Sequence, residues 1–260
     1  SYSLKIHVSW SAVSGASYYR VYRSMLNDPS SSTAISSWQT SLSFDDTTAI
    51  PGAIHYYWIR AAAGSAGQYA SGFGSSNTGY RALGPQILSA VSIKTHGTAG
   101  NMALDVNDSA AVESRIGGPT LVRVAFDTNI QGIGGLDPGD VKASSGTVTS
   151  VIPVGSAAVD VGLTGVNDAA EVALSFPGIA AAGNINMIVL ERLCFGVLLG
   201  DATGDGKVNT LDLLNIKNNV NLPVAANRFR QDVNADGKIN VLDLLATKSN
   251  LNKIVIGPCP

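Results

Sequence analysis

Charge is scarce in this sequence. Asp, Glu, Lys and Arg make up 14% of 260 residues, against roughly a quarter in an average soluble domain. A formal charge of −2 offers no basic stripe for a phosphate backbone, which argues against a nucleic-acid partner. Two cysteines are too few for a thiolate metal site or a disulfide-dense scaffold. The three histidines, His7, His55 and His96, lie far apart, so chemistry that relies on histidine or cysteine has little material. Apolar runs such as MIVL and CFGVLL stop after a few residues, too short for a membrane span. The chain opens SYSLKIHVSW, which alternates like a strand and does not resemble a leader. What is abundant is small and turn-forming: 28 glycines, with many serines and alanines. That composition predicts a mainly β protein of two or three domains.

The few acids are unevenly placed. Asp201, Asp205, Asp212, Asp232, Asp236 and Asp243 crowd into two short loops near the C-terminus. Aligning DATGDGKVNTLDLLNIKNNVN (201–221) with DVNADGKINVLDLLATKSNLN (232–252), at an offset of 31, gives 12 identities in 21 positions. Such agreement marks a duplicated unit.

Each copy reads D-x-[TN]-x-D-G-x-x-N-x-x-D, with oxygen-bearing side chains at loop positions 1, 3, 5, 9 and 12 and glycine at 6. Calcium is a hard cation that takes six to eight oxygens, and a twelve-residue loop supplies them from these positions plus the carbonyl at 7. The first copy offers Asp201, Thr203, Asp205, the Lys207 carbonyl, Asn209 through water, and Asp212. The second offers Asp232, Asn234, Asp236, the Lys238 carbonyl, Asn240 and Asp243. Gly206 and Gly237 stand where the loop must turn sharply. Carboxylates around a shared centre repel one another unless a cation neutralises them, so two Ca2+ ions are expected. After position 12 a helical pattern follows, Leu213, Ile216 and Val220 in one copy and Leu244, Thr247 and Leu251 in the other, with Leu214 and Leu245 alongside. No amphipathic helix precedes either loop, so each unit is half an EF-hand.

This tandem loop-helix pair resembles a type I dockerin over residues 199 to about 256. The resemblance implies a calcium-folded module, 199–260, that docks onto a cohesin-like β-sandwich partner through one or other helix. The family's contact positions are loop positions 10 and 11, usually small hydroxyl residues. Here they are Thr210 and Leu211, then Val241 and Leu242, which implies a more apolar partner surface; Lys217 and Lys248 complete the candidate docking face. Cys194 and Cys259 bracket the duplicated unit, whose two-fold pairing brings its ends together. Either they form a disulfide, worth roughly 3–4 kcal/mol for a loop of about 65 residues, or they are two unrelated thiols.

Residues 1–84 give short alternating or aromatic runs, LKIHVSW, ASYYRVYRS, SLSFDD, HYYWIRAAA and GYRAL, split by Gly, Ser, Pro and Asp. They predict seven or so strands of a β-sandwich. VSWSAVSGASYYRVYRS with YYWIRAAAGSAGQYASGFG resembles a fibronectin type III domain in which Trp10 meets the Tyr22 strand in the core. The tyrosine-corner position falls on His55, read as a structural substitute. Such domains begin with a strand absent here, so the resemblance implies that the polypeptide continues upstream of Ser1. Residues 85–198 alternate with period two in ILSAVSIK, TLVRVAFD, DVKASSGTVTSVIPV, AAVDVGLTGV, AEVALSFPGI and INMIVLE, a second sandwich. With KTHGTAG and ESRIGG, that segment is similar to bacterial Ig-like domains that precede dockerin-type repeats in secreted modular proteins.

Asp105, Asp108 and Glu113, and Asp168 and Glu171, are close enough in sequence to raise glycoside hydrolysis, but DVNDSAAVE and GVNDAAE read as solvated loop tips, and no enzyme is predicted. His96 reads as a turn histidine. Tyr18, Tyr19, Tyr22, Tyr56, Tyr57 and Trp58 read as strand-lining residues ahead of a sugar platform. The whole is then a non-catalytic, calcium-dependent docking module of an extracytoplasmic multidomain protein. The alternatives are the accessory tail of a secreted hydrolase (glycoside hydrolase or peptidase) and a structural subunit stabilised by calcium.

Overall fold

The computed structural model describes residues 4–256. Strands account for 38% and helix for 12%, which bears out a mainly β chain with its helices at the C-terminal end. The chain forms two compact units, 1–84 and 85–260. Among the described residues no helix is long and apolar enough to cross a membrane.

The first unit carries six strands, β1 (Ile6–Ser9), β2 (Tyr18–Ser24), β3 (Thr33–Ala34), β4 (Ser43–Asp46), β5 (Ile54–Ala62) and β6 (Asn77–Tyr80). They form an antiparallel pair, β1-β4, and a four-stranded antiparallel sheet in the order β3-β2-β5-β6. Alternation along β2 buries Tyr19 and Val21, and the core gathers Val21 with Ile6, Ala49 and Tyr57. Trp10 lies 5.9 Å from the Tyr19 ring, the contact with the Tyr22 strand that the sequence predicts. His55 is buried, and its Nε2 accepts the Ile50 N–H at 3.1 Å, tying this corner to backbone five residues upstream. Tyr19, Tyr57 and Trp58 are buried and so unavailable to a sugar ring.

The second unit contains β7 (Ile87–Thr95), β8 (Asn101–Asp105), β9 (Val112–Glu113), β10 (Leu121–Phe126), β11 (Ile130–Gly132), β12 (Lys142–Ala143), β13 (Thr147–Pro153), β14 (Ala158–Thr164), β15 (Ala170–Ser175), β16 (Ile179–Ala181), β17 (Asn184–Ile188) and β18 (Arg192–Val197), then α1 (Thr210–Asn219) and α2 (Val241–Lys248). The sheet β13-β14-β10-β7-β8 faces β12-β15-β18-β9, with β11-β16-β17 alongside. Val122, Val124, Val159 and Val161 from the first sheet meet Val172, Leu174, Leu193 and Phe195 from the second in one core. Strict alternation along β10 produces this inward row, and on its outer side Arg123 pairs with Asp160 across the strands at 2.7 Å.

The loop-helix pair packs on this sandwich. A small core of Val112, Leu198 and Val208, with Ala169, Leu251 and Val255 against it, draws from both parts. The segment 112–116 runs along the seam. Its Val112, Glu113 and Ser114 carbonyls accept from the Arg230 side chain, Leu198 N–H and Gly200 N–H, and Ile116 N–H donates to the Val233 carbonyl at 2.8 Å. Residues 253–256 bridge the first loop and β15, through Lys207 with Ile254 and Ala170 with Ile256. Glu113 is therefore not solvated, as its sequence context suggests. It is fully buried, bound by Arg115 through both carboxylate oxygens at 2.8 and 2.6 Å and by the Ser92 hydroxyl. Burial pushes its carboxyl up, but Arg115 and Ser92 outweigh this and hold it below the usual glutamate range.

Candidate calcium centre

The two loops repeat in structure as in sequence. After each helix the chain reaches across to the other loop, Asn221 N–H donating to the Ile239 carbonyl at 2.9 Å and Asn252 N–H to the Val208 carbonyl at 2.8 Å. Asn221 and Asn252 both have left-handed backbone, φ 64° and 67°, a conformation that asparagine tolerates at helix ends. The exchange buries Val208 and Ile239, one turn from the loop centres.

Within each loop the position-1 aspartate is fully buried and gathers backbone N–H groups. Asp201 Oδ1 accepts from Gly204 and Asp205 at 2.7 and 3.1 Å, and Oδ2 from Gly206 at 2.8 Å. Asp232 Oδ1 accepts from Asp236 at 3.1 Å, and Oδ2 from Gly237 at 2.9 Å. Gly206 and Gly237 have φ of 79° and 89°, the left-handed turn that glycine makes without a Cβ penalty. At position 12, Asp212 and Asp243 close reciprocal capping boxes with Asn209 and Asn240. This corrects the expected helix start: because position 9 is the N-cap, α1 and α2 begin at position 10, inside the loop. The helices also stop before Val220 and Leu251.

The carboxylate oxygens of Asp201, Asp205 and Asp212 lie within 4.8 Å of one another, the one such cluster of metal-binding groups among the described residues. Asp232, Asp236 and Asp243 are not drawn as close. Burial raises the Asp201 carboxyl, several backbone N–H groups offset this in part, and the Asp212 charge adds to the rise. Burial likewise raises Asp243, with Asp232 and Asp236 adding their repulsion. Buried carboxylates crowded onto an all-oxygen centre suit a hard divalent cation.

Above the loops both helices present apolar side chains to solvent. Leu211 and Leu214 on α1 are 59% and 51% exposed, Leu242 and Leu245 on α2 are 52% and 55%, and Val241 is 60%. Thr210, Lys217 and Lys248 are exposed beside them. Leu214 and Leu245, named alongside the helical pattern, join this outer face. Ile216 and Thr247 are the buried side of each helix.

Sequence reasoning left one neighbour of the centre unassigned. His96 is fully buried against the second loop, its Nδ1 2.8 Å from Asp232 Oδ2. No local pattern signals a contact spanning that much chain. Of the two cysteines, Cys194 lies on β18, and Cys259, its expected partner, is outside the described residues.

The duplicated loops, shared capping and oxygen-lined centre define a tandem calcium-loop module. Residues 199–252 match the family described as Dockerin type I domain. Dockerin domains bind calcium and act as docking modules for cohesin partners. A comparison of the chain with curated proteins finds no match.

Proposed function

We propose that the C-terminal part of this chain is a calcium-ordered docking module of an extracytoplasmic multidomain protein, without catalytic activity of its own. The observation that carries the reading is the family match over loops whose Asp201, Asp205 and Asp212 converge beneath two helices with exposed leucines. Two Ca2+ ions are assigned to the residues that the loop pattern names, one set per loop, Asp201 to Asp212 and Asp232 to Asp243. The docking face is Thr210, Leu211, Lys217, Val241, Leu242 and Lys248, extended by Leu214 and Leu245. Its apolar character fits a cohesin-like sheet surface richer in aliphatic residues than a hydroxyl-matched one. Cys194 with Cys259 is assigned as a bridge closing the module in an oxidising compartment.

The domain readings belong to the same proposal. The β1-β4 pair beside β3-β2-β5-β6, with the His55 corner bond, supports a fibronectin type III domain. The two facing sheets of 85–198 support an Ig-like sandwich. A second reading, calcium as a purely structural clamp, is favoured by the seam along 112–116 that ties the loops to the sandwich.

Binding of the full chain to purified cohesin domains, with calcium and after EDTA, separates the two. Docking predicts calcium-dependent capture that Leu211→Glu combined with Leu242→Glu weakens at least tenfold, while calcium uptake is unchanged, because these side chains are exposed. Capture insensitive to both changes, or none with any cohesin, favours the structural clamp.

A further inference from the structure

The two loops are near copies, yet among the described residues only one has a ligand carboxylate bonded by a side chain of the sandwich. Asp201 takes every hydrogen bond from its own loop, from Thr203, Gly204, Asp205 and Gly206. Asp232 takes one from outside, since His96 Nδ1 lies 2.8 Å from its Oδ2. The geometry points to His96 as a positioning residue for the second calcium loop, so that the sandwich tunes the calcium affinity of that loop through a ligand side chain, whereas it meets the first loop through Val208 and backbone beside it. This rests on the calcium reading above.

The orientation of His96 is itself fixed. Its Nε2 faces Arg115 Nη1 at 3.4 Å, and a guanidinium can only donate, so Nε2 accepts and Nδ1 carries the proton directed at Asp232. Arg115 is held in turn by Glu113, by the Ser92 carbonyl at 2.9 Å and by the Met102 carbonyl at 2.9 Å. Phe229, from the segment ahead of the second loop, closes over both, 6.0 Å from the His96 ring and 5.5 Å from the Arg115 guanidinium. Asp232 Oδ2 is thereby held by two donors, His96 and Gly237, while Oδ1 takes one, the Asp236 N–H, and is the less occupied oxygen of the carboxylate. Outer groups of this kind orient a ligand before the ion arrives, and their loss typically weakens metal binding 10–100-fold.

Backbone evidence converges on the same place. Gly97 N–H donates to the Ala235 carbonyl at 3.1 Å. Ala235 has φ 56° where the first loop has Gly204 at φ 79°, so the second loop holds an alanine in a left-handed turn that its twin gives to glycine. A Cβ on Gly97 would lie 2.1 Å from the Asp236 carbonyl oxygen, so the KTHG turn fits this loop only as glycine. The loop with the poorer intrinsic backbone is the one that the KTHG turn braces.

Calorimetric calcium titration of the full chain tests the assignment, with Asp205→Asn, an exposed ligand of the first loop, identifying which binding event belongs to which loop. His96→Ala is expected to weaken the second loop 10–100-fold and leave the first within about twofold. His96→Asn, whose amide nitrogen occupies the Nδ1 position, should restore most of that loss, whereas His96→Gln, which reaches to the Nε2 position, should not. Unchanged affinity at both loops in His96→Ala overturns the proposal. So does equal weakening of both loops without rescue by Asn, the signature of a merely structural residue. A wild-type chain that binds no calcium overturns the calcium reading itself.

Discussion

Chelating calcium is expected to lower the melting temperature of the 85–260 unit by on the order of 10–20 °C, while residues 4–84, which have a core of their own, keep their transition. A ligand bound only by the folded state stabilises it by RT ln(1 + [L]/Kd). At about 1 mM calcium and a dissociation constant on the order of 10 μM, each ion contributes about 2.7 kcal/mol, so two contribute about 5 kcal/mol. For a unit of this size each kcal/mol moves the midpoint by roughly 2–4 °C. The small core of Ala202, Ile216, Val233 and Ile239 cannot replace that contribution, because its neighbours are the crowded carboxylates Asp201, Asp212, Asp232 and Asp243, all fully buried. Without a cation their repulsion opposes the fold. Differential scanning calorimetry with and without EDTA makes the measurement, and an unmoved second transition contradicts calcium as the ion that holds these loops.

Replacing Arg115 by Met should destabilise the same unit by roughly 3–5 kcal/mol, because it strands the Glu113 carboxylate in the interior. Arg115 and Glu113 are both essentially inaccessible to water, and the guanidinium supplies two of the hydrogen bonds to that carboxylate. Arg115→Met with Glu113→Gln should recover much of the loss, since no bare charge remains. The partly exposed Arg123–Asp160 pair on the outer side of the sheet is the contrast: solvent reaches it, and Arg123→Ala should change stability by less than about 1 kcal/mol. Urea midpoints decide this, and a loss at Arg115→Met no larger than that at Arg123→Ala contradicts the account of the seam.

The duplicated loops were legible in the sequence because their pattern is local. Oxygen donors and a glycine at fixed spacing have to be neighbours in the chain, and the duplication at offset 31 repeats the signal. The alternating runs exposed most strands for the same reason. The seam was not legible. Glu113 sits in an acidic, small-residue phrase that reads as solvated, and its burial depends on Arg115 and Ser92; His96 meets Asp232 only when strand β7 brings the KTHG turn to the second loop. Runs read from sequence also omit the short β3, β9 and β11 as well as β8 and β18, the last hidden in RLCFGV, which is buried along most of its length and hardly alternates. Helical periodicity did not separate Leu214 and Leu245, which are exposed, from the buried side of each helix around Ile216 and Thr247, because a module this small covers only one side of each helix.

The central claim is that residues 201–212 and 232–243 are two calcium sites. Titrating the chelator-stripped full chain with calcium chloride in a calorimeter tests it most directly. The account predicts two ions per chain, bound with dissociation constants on the order of 10 μM or below. Uptake of one ion or none by a folded chain would contradict it.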